Sequence, residues 1–180
     1  MIFRELALSG AYEISLEKHQ DARGFFARFY CDTEFAALGL NTTWVQMNLS
    51  SSDKSGTLRG LHFQREPAAE IKLVRCVQGR VFDVIVDLRR NSRTFGDHCS
   101  VTLESDAANA IYIPKGFAHG FQTLGANCRL HYAHSCAYTP GVEGGINPAD
   151  PDLGIDWPLP PANMSERDRA LGALKDCDPL

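Results

Sequence analysis

The chain of 180 residues has no two cysteines at C-x-x-C spacing, although it contains six cysteines. Structural zinc sites usually use such pairs, so the cysteine pattern argues against a zinc site of that kind. A chain of this length can bury a sizeable core without cross-links. We therefore expect free thiols in a reducing cytoplasm rather than a disulfide framework.

An excess of positive charge and a long apolar run are also missing. The formal net charge is −4, which offers no electrostatic basis for binding nucleic acid. No apolar stretch approaches the roughly 20 residues that span a bilayer. The N-terminal "MIFRELALSG" has an early acid and is a poor signal peptide. We expect one cytoplasmic domain over residues 1–180, without nucleic-acid or membrane partners.

Helical patterns are rare, and short β-rich runs follow one another between residues 70 and 135. Each run is bounded by Gly, Pro, Asn or Asp, as in an all-β sandwich or barrel. Within "VFDVIVDLR", residues 82–88 alternate between two faces, and a further pair of strands is expected around a turn at "HQDARG". Only "DTEFAALGL" and the tail from Ser165 indicate short helices. The prediction is an all-β, cupin-like jelly-roll barrel with short peripheral helices, a fold that binds ligands in its mouth or interior.

His62 in "LRGLHFQ" has three possible roles: packed core residue, metal ligand or catalytic base. A cupin metal site typically offers H-x-H, a nearby Glu and a later His. Here the pair is His62-x-Gln64, with Glu70 and His119 as the other candidates. An amide is a poor ligand for divalent transition metals, so the metal role is disfavoured and no metal ligand is assigned.

A catalytic base needs partners, and the chain offers candidates for them. Lys72 is costly to bury in an apolar strand without a partner, although its head could also reach water. Tyr132 and His119 lie on later strands and could face one cavity, while by propensity alone Tyr132 is an ordinary strand aromatic. Arg59 and Arg23 each precede a glycine, a combination that suits an anionic ligand but also fits a surface charge.

Six ordered stretches carry a resemblance over nearly the whole chain. They are "DARGFF", "VQMNLSSSDKSGTLRGLHFQ", "KLVRCVQGRVFDVIVDLRRNSRTFG", "IYIPKGFAHGFQTL", "AYTPGVEGGINPADPDLGIDWPL" and "SERD". With these the chain resembles the nucleotide-sugar 3,5-epimerase family, cupin-fold enzymes typified by dTDP-4-dehydrorhamnose 3,5-epimerase. Members of this family are homodimers, and the resemblance implies a nucleotide-diphosphate sugar as substrate and no cofactor.

The resemblance also implies a role for each matched residue. The catalytic positions are His62 as general base, Asp168 as its carboxylate partner, Tyr132 as general acid on the opposite face of the sugar, and Lys72 near the keto oxygen. The implied substrate contacts are His119 near the same oxygen, Arg59 and Arg23 at the diphosphate, Gln46 and Asn48 at the nucleotide, Tyr138 and Phe26 at the nucleobase, and Glu143. Arg23 would reach over from the neighbouring subunit. A second explanation for Asp168 is local, since Ser165 with an acid three residues later is a capping-box-like helix start.

The implied reaction explains these residue types. A ketone at C4 acidifies the protons on C3 and C5, and a neutral imidazole can take one of them. Lys72 would stabilise the resulting enolate, and reprotonation from the other face inverts the centre. The alternatives are a metal-dependent cupin enzyme and a sugar-nucleotide-binding module without catalysis.

Two positions depart from the family pattern. Arg28 stands where the family has Glu beside the nucleobase, across the subunit interface. Because Arg can only donate hydrogen bonds, a CDP- or GDP-linked sugar is an alternative to a dTDP-linked one. Glu70 stands where the family usually has Gln, and strand neighbours two apart share a face, so we expect it to pair with Lys72.

Overall fold

Thirteen β-strands dominate the computed structural model, which describes all 180 residues. The strands are β1 (Ile2–Glu5), β2 (Tyr12–Ser15), β3 (Lys18–Asp21), β4 (Gly24–Ala27), β5 (Gln46–Ser52), β6 (Leu58–Gln64), β7 (Lys72–Gln78), β8 (Arg80–Asp87), β9 (His98–Glu104), β10 (Asn109–Ile113), β11 (Phe117–Thr123), β12 (Cys128–His134) and β13 (Glu143–Gly145). Helices α1 (Asp32–Ala36) and α2 (Glu166–Arg169) are short, and 3-10 turns cover Pro151–Leu153 and Leu174–Asp176. None of the helices has the length and apolar character needed to cross a membrane.

The strands form two large antiparallel sheets and one hairpin. The first sheet has the order β1-β2-β10-β7-β12-β5, the second has the order β13-β6-β11-β8-β9, and β3 pairs only with β4. Between the large sheets lies the main core, to which the first sheet contributes Val74, Ile111 and Leu130, and the second Ile85 and Phe121. This arrangement confirms the predicted all-β jelly-roll barrel with short peripheral helices.

The alternation predicted along β8 is confirmed, and both of its faces are buried. Ile85 points into the core between the sheets, whereas Val84 and Val86 pack outside against the C-terminal segment that includes Leu153. The aspartate Asp83 on the inward face is therefore also fully buried.

The region around "HQDARG" differs from the prediction. The turn is only Ala22–Arg23, because residues 18–21 and 24–27 already pair as strands β3 and β4. Strand β5 was not predicted, since its pattern is reversed relative to a usual strand. It exposes Met47 and Leu49 to solvent, while Asn48 lines a cavity inside the barrel.

Candidate active site

A polar cavity of about 790 Å³ opens between the two large sheets. Seven of the residues singled out from the sequence line it: Asn48, Arg59, His62, Lys72, His119, Tyr132 and Asp168. The two sheets contribute different chemistry, because His62 and His119 belong to the five-stranded sheet, and Lys72 and Tyr132 to the six-stranded sheet. The cavity therefore holds the His62 and His119 imidazoles on one wall, and an ammonium, a phenol and the His134 imidazole on the other.

His62 is held by Asp168, which reaches it from α2. The distance between His62 Nε2 and Asp168 Oδ1 is 2.7 Å, and the other carboxylate oxygen accepts the Gly60 amide at 3.3 Å. The buried Asp168 carboxylate accepts a hydrogen bond from His62 Nε2–H, so the imidazole proton is on Nε2. The Nδ1 nitrogen of His62 makes no hydrogen bond within the chain. Burial lowers the pKa of His62 below its usual value, although Asp168 opposes that shift. The imidazole is therefore neutral at physiological pH, with a free lone pair on Nδ1.

Both explanations given for Asp168 are compatible, because they use different atoms. The Ser165 hydroxyl accepts the Asp168 backbone N–H at 3.0 Å and caps the start of α2. The Asp168 side chain does not return to Ser165 as in a capping box; it points to His62 instead. The N-cap thus fixes the backbone of Asp168, and its carboxylate remains available to the imidazole.

Lys72 is nine-tenths buried and is paired as expected. Its Nζ lies 3.3 Å from Glu70 Oε1 and donates to the His62 carbonyl at 3.3 Å. The other Glu70 oxygen lies 2.7 Å from His134 Nδ1. Burial alone would raise the pKa of Glu70, but hydrogen bonding from His134 and the charge of Lys72 outweigh it and lower that pKa. A buried ammonium thus stands in the cavity beside an ionised carboxylate.

His119 is paired with Asp83, a residue that the sequence did not single out. His119 lies directly opposite His62 in the β6–β11 register, and its Nε2 is 2.8 Å from Asp83 Oδ2. The second carboxylate oxygen of Asp83 has no partner, and burial raises the pKa of this group. An acid on the inward face of an apolar strand was the available signal, because such a side chain needs a partner.

Tyr132 lies on β12 with its ring 6.0 Å from the His119 ring, edge to face, and 5.9 Å from the parallel His134 ring. Burial raises the pKa of the Tyr132 phenol, so the hydroxyl is protonated at neutral pH. The phenol can therefore give a proton from the wall opposite His62.

Positive charge collects at the mouth of the cavity. Arg59 uses two N–H groups, on Ser52 Oγ at 3.1 Å and on the Ser51 carbonyl at 3.1 Å, and keeps three for a ligand. Arg167 and Arg169 of α2 also line the cavity and were missed by the sequence reasoning. The sequence signal for these two residues was that they are basic and flank Asp168 directly in "SERDR".

Three further predicted contacts form the rim next to Asn48. Gln46 Nε2 donates to Asn48 Oδ1 at 3.3 Å, and Gln46 Oε1 accepts the Tyr138 backbone N–H at 3.0 Å. The Tyr138 hydroxyl donates to Glu143 at 2.8 Å, while about half of Tyr138 is exposed. An exposed aromatic ring held in this way presents a surface on which a base can stack.

The last three predicted contacts lie on the β3–β4 hairpin or just after it, away from the cavity. Arg23 pairs with Asp21, the Phe26 side chain is largely exposed, and Arg28 Nη1 lies 3.1 Å from Glu34 Oε1. Within a single chain, none of Arg23, Phe26 and Arg28 lines the central cavity.

No group of three His, Cys, Asp or Glu side chains converges as a metal site. The Gln64 amide, considered above as a ligand, is used on backbone groups at Ala68 and Thr139. The Nε2 atoms of His62 and His119 are hydrogen-bonded to two different carboxylates, those of Asp168 and Asp83, and are not directed at a shared point.

The chain is similar to known epimerases along almost its whole length. The family model described as dTDP-4-dehydrorhamnose 3,5-epimerase matches residues 5–176. An enzyme of that name from Methanothermobacter thermautotrophicus is 42% identical, over 97% of this chain and 95% of the relative. A dTDP-4-dehydrorhamnose 3-epimerase from Streptomyces niveus is 40% identical, over 94% of this chain and 82% of the relative. The crystal structure of dTDP-4-dehydrorhamnose 3,5-epimerase from Elizabethkingia anophelis superposes with a TM-score of 0.92 at 41% identity, covering 98% of this chain and 97% of that one. The chain therefore belongs to the dTDP-4-dehydrorhamnose 3,5-epimerase family, which are carbohydrate isomerases.

Proposed function

We propose that this chain is a cofactor-independent epimerase that inverts C3, C5 or both in a nucleotide-diphosphate-linked 4-keto-6-deoxy sugar. The observation that supports this most is the geometry of His62. Its Nε2–H is held by Asp168, its Nδ1 is free, and the Lys72 ammonium and Tyr132 phenol stand on the opposite sheet. A binding module needs neither a preset base nor an acid opposite it.

The reaction follows from these groups. His62 Nδ1 takes the proton from the carbon next to the C4 ketone, and the electron pair moves to the C4 oxygen as an enolate. The Lys72 ammonium stabilises that oxygen, and His119 lies beside it as a substrate contact. The Tyr132 hydroxyl gives a proton to the opposite face of the carbon, which inverts the centre. Water then takes the proton from His62 and returns one to Tyr132, so each inverted centre gains one solvent hydrogen.

Deuterium uptake from D2O into dTDP-4-keto-6-deoxyglucose tests this function, and NMR shows whether C3, C5 or both exchange. His62→Ala should slow the uptake by roughly 10²–10⁴-fold. Uptake at the wild-type rate in this variant would exclude His62 as the base. Loss of wild-type uptake after treatment with a chelator, restored by Fe, Mn or Zn, would favour the metal-dependent alternative.

For the nucleotide, we propose dTDP. Arg28 departs from the family pattern, but its guanidinium is paired with the Glu34 carboxylate. Both side chains are partly exposed, so Arg28 can turn away from the nucleobase at little cost in free energy. Titrations of dTDP, CDP and GDP against wild type and Arg28→Glu test the assignment. Wild type should bind dTDP most tightly, whereas tighter binding of CDP or GDP that Arg28→Glu reverses would support the alternative.

We also propose a homodimer in which the β3–β4 hairpin and the residue that follows it carry Arg23 and Arg28 toward the partner's cavity. Strand β5 is the edge of its sheet, and its Met47 and Leu49 side chains are each more than 60% exposed. An unpaired strand edge with exposed apolar side chains is typical of a surface that binds another chain. Light scattering should give twice the mass of the chain for wild type, and Leu49→Asp should give a monomer that binds dTDP more weakly. A monomeric wild type would refute the proposal.

A further inference from the structure

Glu70 and His134, which the proposed reaction does not use, form a buried cluster with the Lys72 ammonium. The three side chains are each about nine-tenths buried. Glu70 contacts both basic groups at once, Lys72 through Oε1 at 3.3 Å and His134 through Oε2 at 2.7 Å. One carboxylate balances one ammonium, so a neutral His134 leaves the buried cluster without net charge.

From His134, hydrogen bonds continue to the nucleotide end of the site. His134 Nε2 lies 3.3 Å from Asn48 Nδ2, Asn48 Oδ1 lies 3.3 Å from Gln46 Nε2, and Gln46 Oε1 accepts the Tyr138 backbone N–H at 3.0 Å. Together with the Glu70 contacts, this series connects the Lys72 ammonium to Tyr138, the aromatic residue at the rim.

The donors and acceptors along this series are determined from its Tyr138 end. A backbone N–H can only donate, so Gln46 must present its oxygen to Tyr138 and its NH₂ to Asn48. Asn48 then presents its oxygen to Gln46 and its NH₂ to His134. His134 must accept on Nε2, so its proton is on Nδ1, where it is donated to Glu70. Every polar hydrogen in the series therefore points toward Glu70.

We propose that Glu70 and His134 are positioning residues that set the orientation of the Asn48 and Gln46 amides for nucleotide binding. If the His134 proton moved to Nε2, it would face the Asn48 NH₂, and Asn48 would have to turn over. Gln46 would have to turn with it and would lose the Tyr138 N–H. The acceptor at Glu70 prevents this by holding the proton on Nδ1. This role rests on the proposed function, because it assigns Asn48 and Gln46 to the nucleotide.

Three variants separate this role from a merely structural one, with calorimetric Kd for dTDP and steady-state KM and kcat as measurements. His134→Phe keeps an aromatic ring beside Tyr132 but cannot accept from Asn48, so Kd and KM should rise roughly tenfold with kcat within about threefold of wild type. Glu70→Leu removes the acceptor and should raise Kd similarly. Glu70→Gln keeps an oxygen for His134 Nδ1–H and should restore Kd to within about twofold of wild type.

The matched control is His98→Phe, since His98 lies on β9 outside the cavity and makes no hydrogen bond through its side chain. Nitrogen-15 NMR of the histidines adds a test that needs no mutation. His134 should be in the Nδ1–H form in wild type and Glu70→Gln, and should lose that form in Glu70→Leu. An Nε2–H form in wild type, or a Kd for His134→Phe equal to that of His98→Phe, would overturn the proposal.

Failure of the proposed function gives a different result. If wild type binds dTDP but takes up no deuterium into any 4-keto nucleotide sugar, the reaction assignment fails while the Kd comparison still tests the amides. If wild type is an active epimerase and His134→Phe leaves Kd and KM unchanged, only the positioning role fails.

Discussion

Replacing Gly60 by Ala should disrupt both the barrel and the site, because the Gly60 backbone on β6 lies directly against the backbone of His119 and Gly120 on β11. Its φ is +127°, in a region of the backbone that residues other than glycine rarely adopt. A Cβ at this position would lie 2.5 Å from Gly120 Cα and 2.9 Å from the His119 carbonyl oxygen. Carbon atoms pack at about 3.5–4.0 Å, so the strands would have to separate by roughly 1 Å.

This separation has two consequences of calculable size. The unfavourable φ and the overpacking together should lower the free energy of unfolding by about 2–5 kcal/mol. For a chain of this size that is a fall in Tm of roughly 10 °C. His62 pairs opposite His119 across the same two strands, and a misplacement of about 1 Å at a reacting group costs on the order of 10²-fold in rate.

Thermal unfolding followed by circular dichroism and deuterium uptake into the 4-keto sugar measure the two effects. Gly125→Ala is the matched control, since a Cβ there meets no atom within 4 Å and the backbone is not in the left-handed region. The control should melt and exchange as wild type does. A Gly60→Ala variant that melts within about 2 °C of the control and exchanges at the same rate would refute this reasoning.

Three further outcomes are expected. Asp168→Asn should reduce the exchange rate by about 10²-fold or more, because the amide no longer holds His62 in the Nε2–H form; a loss below about threefold would count against the pairing. The wild-type profile of kcat/KM against pH should fall only below the usual histidine pKa of about 6.5, since burial lowers the pKa of His62 and the base form persists to more acid pH; an acid limb above pH 7 would contradict this. Asp87→Ala should destabilise the fold by about 3 kcal/mol at pH 7 in urea unfolding, because fully buried Asp87 accepts from Arg89, Ser92 and Thr94. Burial opposes these bonds, but they lower the pKa of folded Asp87. Its contribution is therefore fully present above the unfolded pKa of about 3.9 and is lost progressively as the pH falls from there through the lower folded pKa; a difference at pH 3 equal to that at pH 7 would speak against it.

Much of the fold was predictable because its signals are local. The period-2 pattern of β8 and the Gly, Pro and Asn residues between later strands identify an antiparallel β-protein without reference to distant residues. Strand β5 was not predictable in this way. Its polar side chains line a cavity and its apolar side chains lie outside, so burial, which the pattern assumes, is reversed there.

Ordered motifs and residue types identify the family and the jelly-roll class without coordinates, and they indicate His62, Lys72, Tyr132 and Asp168 as candidate catalytic residues. How these side chains are paired cannot be read from the motifs, because each partner is distant along the chain. Asp168 is 106 positions from His62, Glu70 is 64 from His134, and Asp83 is 36 from His119. Strand register and the cap on α2 bring these partners within hydrogen-bond distance. That geometry decides which nitrogen of each histidine is occupied and leaves Nδ1 of His62 free.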